Sequence, residues 1–220
     1  MQEYVITTEN AADLPQEFIE KNQIGILSLS YTMDGVTYGE DSAETQPVEQ
    51  FYQRMRDGSM PKTQQVNPDQ AIRVFREYLK QGKDILHVGF TSAVSGSYNS
   101  ICMAAQELRE EFPQRKIEVV DTLVGTLAEG MLVDRLVRLK QDGAGLEEAA
   151  SWLREYAPHA CLYATVDDLK HLYRGGRVSK TSAFLGTAIG IKPVLKLNEQ
   201  GNLVPVEKVR GRKASVQAAF

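Results

Sequence analysis

The chain has 220 residues, 42% of them hydrophobic and 25% charged, and a formal net charge of −4. That is enough apolar side chain for one large or two small globular cores. The acidic balance excludes nucleic acid as a main partner, because phosphate-backbone binding needs a clustered basic face.

From the amino terminus, Tyr4 to Thr8 reads as a strand, with no charged segment and apolar core of a signal peptide ahead of it. No apolar run reaches the roughly eighteen residues of a membrane span. The expectation is a cytoplasmic protein without membrane insertion. Asn10 to Pro15 supplies capping residues and a helix-starting proline, and Phe18 and Ile19 give a short helix its buried face. Ile24 to Met33 reads as one strand that turns at Asp34-Gly35 into Val36-Thr37-Tyr38. Pro47 to Arg56 and Pro68 to Lys80 read as helices, the second amphipathic through Ala71, Ile72, Phe75 and Leu79.

Next come a strand at Ile85 to Phe90, a helix from Tyr98 to Phe112, a strand at Ile117 to Asp121 and helices at Leu127 to Lys140 and Leu146 to Tyr156. Such alternation predicts an α/β protein with a largely parallel sheet covered by helices on both faces. Past Pro158 a second, smaller α/β domain is expected. It holds a strand at Cys161 to Thr165, a helix at Asp167 to Tyr173, a helical pattern over Ser179 to Gly190, a hairpin around Asn198 to Gly201 and a helix starting near Lys213. A strand pair and half a helix cannot cover a sheet, so this domain, residues 158–220 after a first domain of residues 1–157, is expected to be incomplete. Cys102 and Cys161 have neither disulfide nor metal spacing and are expected as buried free thiols.

The stretch with the most chemistry is Thr91-Ser92-Ala93-Val94-Ser95-Gly96-Ser97, a hydroxyl-rich turn between a strand and a helix. In an open α/β sheet ligands bind outside the carboxyl ends of strands, where the next helix offers unpaired N–H groups and the positive end of its dipole. A phosphate cradle carries several glycines and a lysine, whereas this turn has Gly96 alone and no base. Ser95, Ser97 and Thr91 can cap the helix or donate to a carboxylate, and capping alone accounts for Ser95 equally well. His87, His159 and His171 show no metal spacing and are expected as core or surface residues.

Several segments in order resemble the DegV family of bacterial fatty-acid-binding proteins. They are Ile6 to Pro15, Pro61-Lys62-Thr63-Gln64-Gln65, Ser95 to Ser100, Val120-Asp121-Thr122, Asp168-Leu169-Lys170 through Gly175-Gly176-Arg177-Val178-Ser179, Gly190 to Leu195 and Lys208 to Lys213. The resemblance implies a two-domain α/β protein that binds a long-chain fatty acid between its domains and presents the carboxylate to a separate fatty acid kinase, for acyl-phosphate formation and phospholipid synthesis. On matching positions Thr63 and Ser95 meet the carboxylate, with Gln64 and Gly96 beside them. Arg177 and Arg210 are candidate contacts for the kinase, against the plainer reading of solvated surface charges. No metal, no cofactor other than the bound acid, and no catalytic group are implied.

Three departures stand out. The family's usual Thr-Asp-Ser-Thr is here Thr8-Glu9-Asn10-Ala11, and its Thr-Ser-Gln-Pro is here Thr63-Gln64-Gln65-Val66, which leaves the loop holding Thr63 less rigid. Gln64 can still donate through its amide. Family members also continue into a segment that brings a histidine to the carboxylate, and no matching histidine stands here. Two other classes remain open: a serine hydrolase with Ser95 as nucleophile, which lacks a Gly-x-Ser-x-Gly elbow, and a phosphate-ligand regulatory module using the same helix terminus.

Overall fold

The structure, a computed structural model, describes residues 3–39, 42, 44–167, 169–178 and 190–219. β1 (Tyr4–Glu9) leads through a 3-10 turn (Asn10–Ala12) to α1 (Gln16–Asn22) and β2 (Gly25–Leu27). β3 (Ser30–Met33), β4 (Val36–Tyr38), α2 (Val48–Arg56) and β5 (Lys62–Gln64) follow. Then come α3 (Pro68–Lys80), β6 (Asp84–Gly89), α4 (Ser97–Glu111), β7 (Ile117–Asp121), α5 (Thr126–Gln141) and α6 (Leu146–Tyr156). The chain continues through β8 (Tyr163–Thr165), α7 (Lys170–Arg174), β9 (Ile191–Leu197), β10 (Leu203–Arg210) and α8 (Arg212–Ala219). The helical pattern over 179–190 falls, apart from Gly190, outside the described residues, as does Asp168.

Four strands make a parallel sheet in the order β2-β1-β6-β7. Strand alternation sorts its side chains between two cores. Val5 and Ile85 pack with Ile72 and Phe75 of α3 and Ile101 and Leu108 of α4. Tyr4, Ile6, Leu86 and Val88 pack with Leu132 and Leu136 of α5 and Leu153 of α6. This is the α/β architecture that the alternation of elements predicts. α3 has the bounds read from sequence because its signals agree: the Asn67 side chain accepts from the Gln70 N–H at 2.9 Å, Pro68 stands at the first position, and Ala71, Ile72, Phe75 and Leu79 are buried. No described helix is long and apolar enough to cross a membrane.

Two expectations need correction. The run Ile24 to Met33 is not one strand but two, β2 in the parallel sheet and β3 in a separate antiparallel sheet of order β4-β3-β5. The break falls where the Asn10 amide takes both backbone groups of Leu29, donating to its carbonyl at 3.2 Å and accepting from its N–H at 3.0 Å, so Leu29 has no strand partner to bond. Cys161 is exposed, not buried, and Cys102 is half-buried. Cys161 precedes β8, an edge strand whose first residue Tyr163 is itself 49% exposed. The Asp34-Gly35 turn is as expected, with φ of 50° and 83° joining paired Met33 and Val36.

β8, β9 and β10 form a third, antiparallel sheet. Its β9–β10 turn is held by the Asn198 carboxamide oxygen, which accepts from Gln200 and Asn202 N–H. At that turn Gly201 (φ 74°) passes its carbonyl to the buried Thr91 hydroxyl at 3.0 Å. A β-carbon on Gly201 would fall 2.1 Å from Thr91 Oγ1. Gly201→Ala is therefore expected to lower unfolding free energy by about 2 to 4 kcal/mol, from left-handed strain and a displaced hydroxyl, measured by urea denaturation.

Candidate functional site

The turn after β6 emerges at the carboxyl edge of the parallel sheet, and most of its polar groups are committed to holding its shape. Thr91 is fully buried; its N–H donates to Val124 O at 2.8 Å and its hydroxyl to Gly201. Asp121, at the end of β7, accepts from the N–H groups of Ser92 and Leu123. Ser97 is also fully buried, and its oxygen accepts from Val66 N–H at 3.1 Å and from the Ser95 hydroxyl at 2.9 Å. Thr91 and Ser97, both read from sequence as possible carboxylate donors, are thus structural. Ser95 is half-buried, and its oxygen takes the Ser97 N–H at 3.2 Å, so Gly96 precedes the helix while Ser95 supplies the hydroxyl that ties down its first N–H.

Gly96 has a different use from an anion contact. A β-carbon there would lie 2.1 Å from Gln65 Oε1, so the missing side chain is what lets the Gln65 amide sit against the turn and donate to Ser100 Oγ at 2.9 Å. Gln65 also lines a cavity of about 700 Å3 on the β3–β4–β5 sheet, together with Thr63, Gln64, Ser30, Asn67 and Gln70. That volume suits a small-molecule site. Ser95 is not among the described residues that line the cavity, and Gln65, which touches Gly96 and Ser100, joins the cavity to the turn that carries Ser95. Sequence reading named Gln65 only as a motif position; its contact with Gly96 spans 31 positions and has no local signal.

Thr63 is exposed on β5, paired in register with Tyr31, and its hydroxyl has no partner among the described residues. Gln64, which lines the same cavity, has its amide engaged: its Oε1 accepts from Ser30 Oγ at 2.7 Å and its Nε2 donates to Thr32 Oγ1 at 3.3 Å. Of the two, Thr63 has the free donor and Gln64 is engaged. Arg177 lies on the turn itself: its Nε donates to Val94 O at 3.2 Å and another guanidinium nitrogen to Gly175 O. Arg210 is exposed at the end of β10, paired with Ile191.

Beneath the turn is a cluster that sequence reading missed. Glu9, His87 and Glu129 are all fully buried. Glu9 Oε2 accepts from Phe90 N–H at 3.1 Å and lies 3.4 Å from His87 Nε2, while Thr7 Oγ1 is 3.0 Å from His87 Nδ1. Thr8 Oγ1 reaches both Val88 O at 3.0 Å and Glu129 Oε1 at 2.6 Å. Burial first, and the Glu9 charge second, hold the Glu129 carboxyl well above the usual carboxylate range. The available signal was Glu129 on the helix stripe that continues with Leu132, Val133 and Leu136. Among the described residues no cluster of His, Cys, Asp and Glu could hold a metal ion.

A cavity whose described lining is hydroxyls, amides and a glycine, joined through Gln65 to the start of α4, is of the kind that takes a small ligand in α/β proteins. The chain belongs to the DegV family, described as an uncharacterised protein family, whose model matches residues 3–220. It is 40% identical over 220 residues to a DegV domain-containing protein of Clostridium perfringens, covering 100% of this chain and 76% of that one. Among solved structures it matches a fatty-acid-binding DegV family protein of Thermus thermophilus (TM-score 0.84, 32% identity, 99% of this chain and 75% of the other). A stearic acid-binding protein of Eubacterium ventriosum matches with TM-score 0.87 and 31% identity, over 98% of this chain and 74% of that one.

The hydrogen bonds separate two serines two positions apart. Ser97→Ala is expected to cost about 1 to 3 kcal/mol in chemical denaturation, because the buried Val66 N–H loses its acceptor, and Ser95→Ala under about 1 kcal/mol.

Proposed function

We propose that this protein binds a long-chain fatty acid in a cleft between two domains, residues 1–157 and 158–220, and presents its carboxylate to a fatty acid kinase without catalysing a reaction itself. In this reading Ser95 and Thr63 donate to the carboxylate, Gln65 on Gly96 closes the wall between them, and Gln64 contributes only if its amide leaves Thr32. The observation that carries the reading is the Thr63 hydroxyl, without a partner among the described residues, on a cavity whose described lining is uncharged and which reaches the Ser95 turn through Gln65. Fatty acids bound by the structural relatives from Thermus thermophilus and Eubacterium ventriosum support it. The division into domains is supported by the strands: those of the parallel sheet all precede residue 157, and those of the β8–β9–β10 sheet all follow it.

Magnitudes divide the labour between tail and head. About fourteen buried methylenes at about 0.8 kcal/mol each contribute on the order of 11 kcal/mol before association costs, so the tail supplies the affinity. The head has only to offset several kcal/mol of carboxylate desolvation, which two hydroxyl donors at about 1.5 to 3 kcal/mol each and a helix N-terminus match. Neutral donors leave the carboxylate able to react on the kinase, where a bidentate arginine would hold it. Arg177, folded on Val94, places a cation on the outer side of the same turn, and Arg210 is the second candidate kinase contact. A hydrolase reading has less support: the Ser95 hydroxyl is hydrogen-bonded to Ser97, and His87 is turned to Thr7 and Glu9.

Native mass spectrometry of protein expressed in bacteria is expected to show a bound acid of fatty-acid mass. Ser95→Ala and Thr63→Ala are each expected to weaken acid binding by about 1 to 3 kcal/mol. Wild-type affinity in both variants removes these residues from the site, and labelling of Ser95 by a fluorophosphonate probe favours the hydrolase.

A further inference from the structure

We infer that Glu129, Glu9 and His87 form a buried proton-sharing cluster that anchors the Ser95 turn and releases it when Glu129 ionises, making the turn a pH-sensitive element. Three polar atoms in the cluster have no hydrogen-bond partner: Glu9 Oε1, His87 Nε2 and Glu129 Oε2. Three orphans in one fully buried place are costly if each stands alone. One proton on Glu129 Oε2 shared with Glu9 Oε1 satisfies two of them together, and a proton on His87 Nε2 leaves that atom facing the Glu9 carboxylate at 3.4 Å, a polar contact longer than a good hydrogen bond. Nδ1 of that histidine then accepts from the Thr7 hydroxyl, which fits the 3.0 Å contact. The one hydroxyl proton of Thr8 faces two acceptors, Val88 O at 3.0 Å and Glu129 Oε1 at 2.6 Å, so Thr8 alone cannot satisfy both.

Nothing around the cluster offsets a second negative charge. Glu9 and Asp13 are the acidic groups acting on Glu129, and both favour its neutral form. From β6 comes His87, whose ring packs against Phe75 of α3 at 5.7 Å between centroids. Asp121 of β7 is engaged with Ser92 and Leu123. Among the described residues no lysine or arginine pairs with Glu9 or Glu129.

The link to the turn is direct. Thr8 holds Val88 O near the end of β6, and Glu9 Oε2 holds the N–H of Phe90, the first residue past it on the way to Ser95. Ionised Glu129 would repel Glu9 across a dry gap and pull it off Phe90. Because the folded state keeps the Glu129 proton more tightly than the unfolded chain, its contribution to stability is complete below the ordinary value of 4.5 and declines as pH rises, until Glu129 ionises in the fold. The effect on a bound carboxylate rests on the functional reading above; the device itself does not.

The test therefore uses ligand-free protein. Amide hydrogen exchange at Phe90 and across residues 91–96, corrected for intrinsic chemistry, is followed from about pH 6 to about pH 10 in wild type and Glu129→Gln. Wild type is expected to lose protection by about tenfold or more relative to Glu129→Gln as pH rises, while the variant, with no proton to lose, stays flat. In infrared spectra the wild type is expected to show a protonated-carboxyl band at neutral pH that is absent from Glu129→Gln. Should that variant not fold, the wild-type band is still read alone: its disappearance with rising pH must coincide with the loss of protection. Identical pH profiles in the two proteins, no acid band at neutral pH, or a band that persists while protection falls overturns the inference. Fatty acid affinity is a separate measurement, and its failure would leave the proton-sharing cluster standing.

Discussion

A strand buried on both faces leaves its polar atoms no access to water, and β1 meets that constraint in its most demanding form. Thr7, Thr8 and Glu9 close the strand inside the protein, and each has to find a partner in another element. Thr7 finds His87 on β6, Thr8 finds Val88 and Glu129, and Glu9 finds the backbone of Phe90. These bonds fasten β1, β6 and α5 together at the edge where the sheet ends and the Ser95 turn begins. The turn inherits its position from this arrangement, as Thr91 and Ser97 extend it outward to Gly201 and Val66.

The contrast between the two sides of the turn gives the site its character. Below it, titratable groups are sealed from solvent; on the cavity side the side chains named in the site are hydroxyls and amides. Under the proposed function, a ligand carboxylate entering there meets donors that orient it at modest cost. Gln65 matters in this scheme because it belongs to both parts, with its amide on Gly96 and Ser100 and its length along the cavity wall.

Much of the fold was legible because local signals agreed. In α3 the cap, the proline and the apolar stripe all point to the same bounds, and Asp34-Gly35 announces its hairpin through backbone preference alone. Ile24 to Met33 misled because its pattern is continuous, while the break depends on the Asn10 side chain nineteen positions earlier. The site was legible in the same uneven way. A turn rich in hydroxyls at a strand end could be read directly, but which hydroxyl is spent on Val66, which on Gly201 and which remains for a ligand is decided by contacts 31 and 110 positions apart. Thr63 came forward only through family resemblance, since a threonine in a short exposed strand has no signature of its own.

The bond from Thr91 to Gly201 also bears on how the protein comes into being. During synthesis the parallel sheet is complete by Asp121, yet the carbonyl that fixes its turn is added eighty residues later. A nascent chain thus has every strand of the parallel sheet well before it has this bond, and the turn after β6 takes its last fastening only when the β9–β10 turn has emerged and folded back.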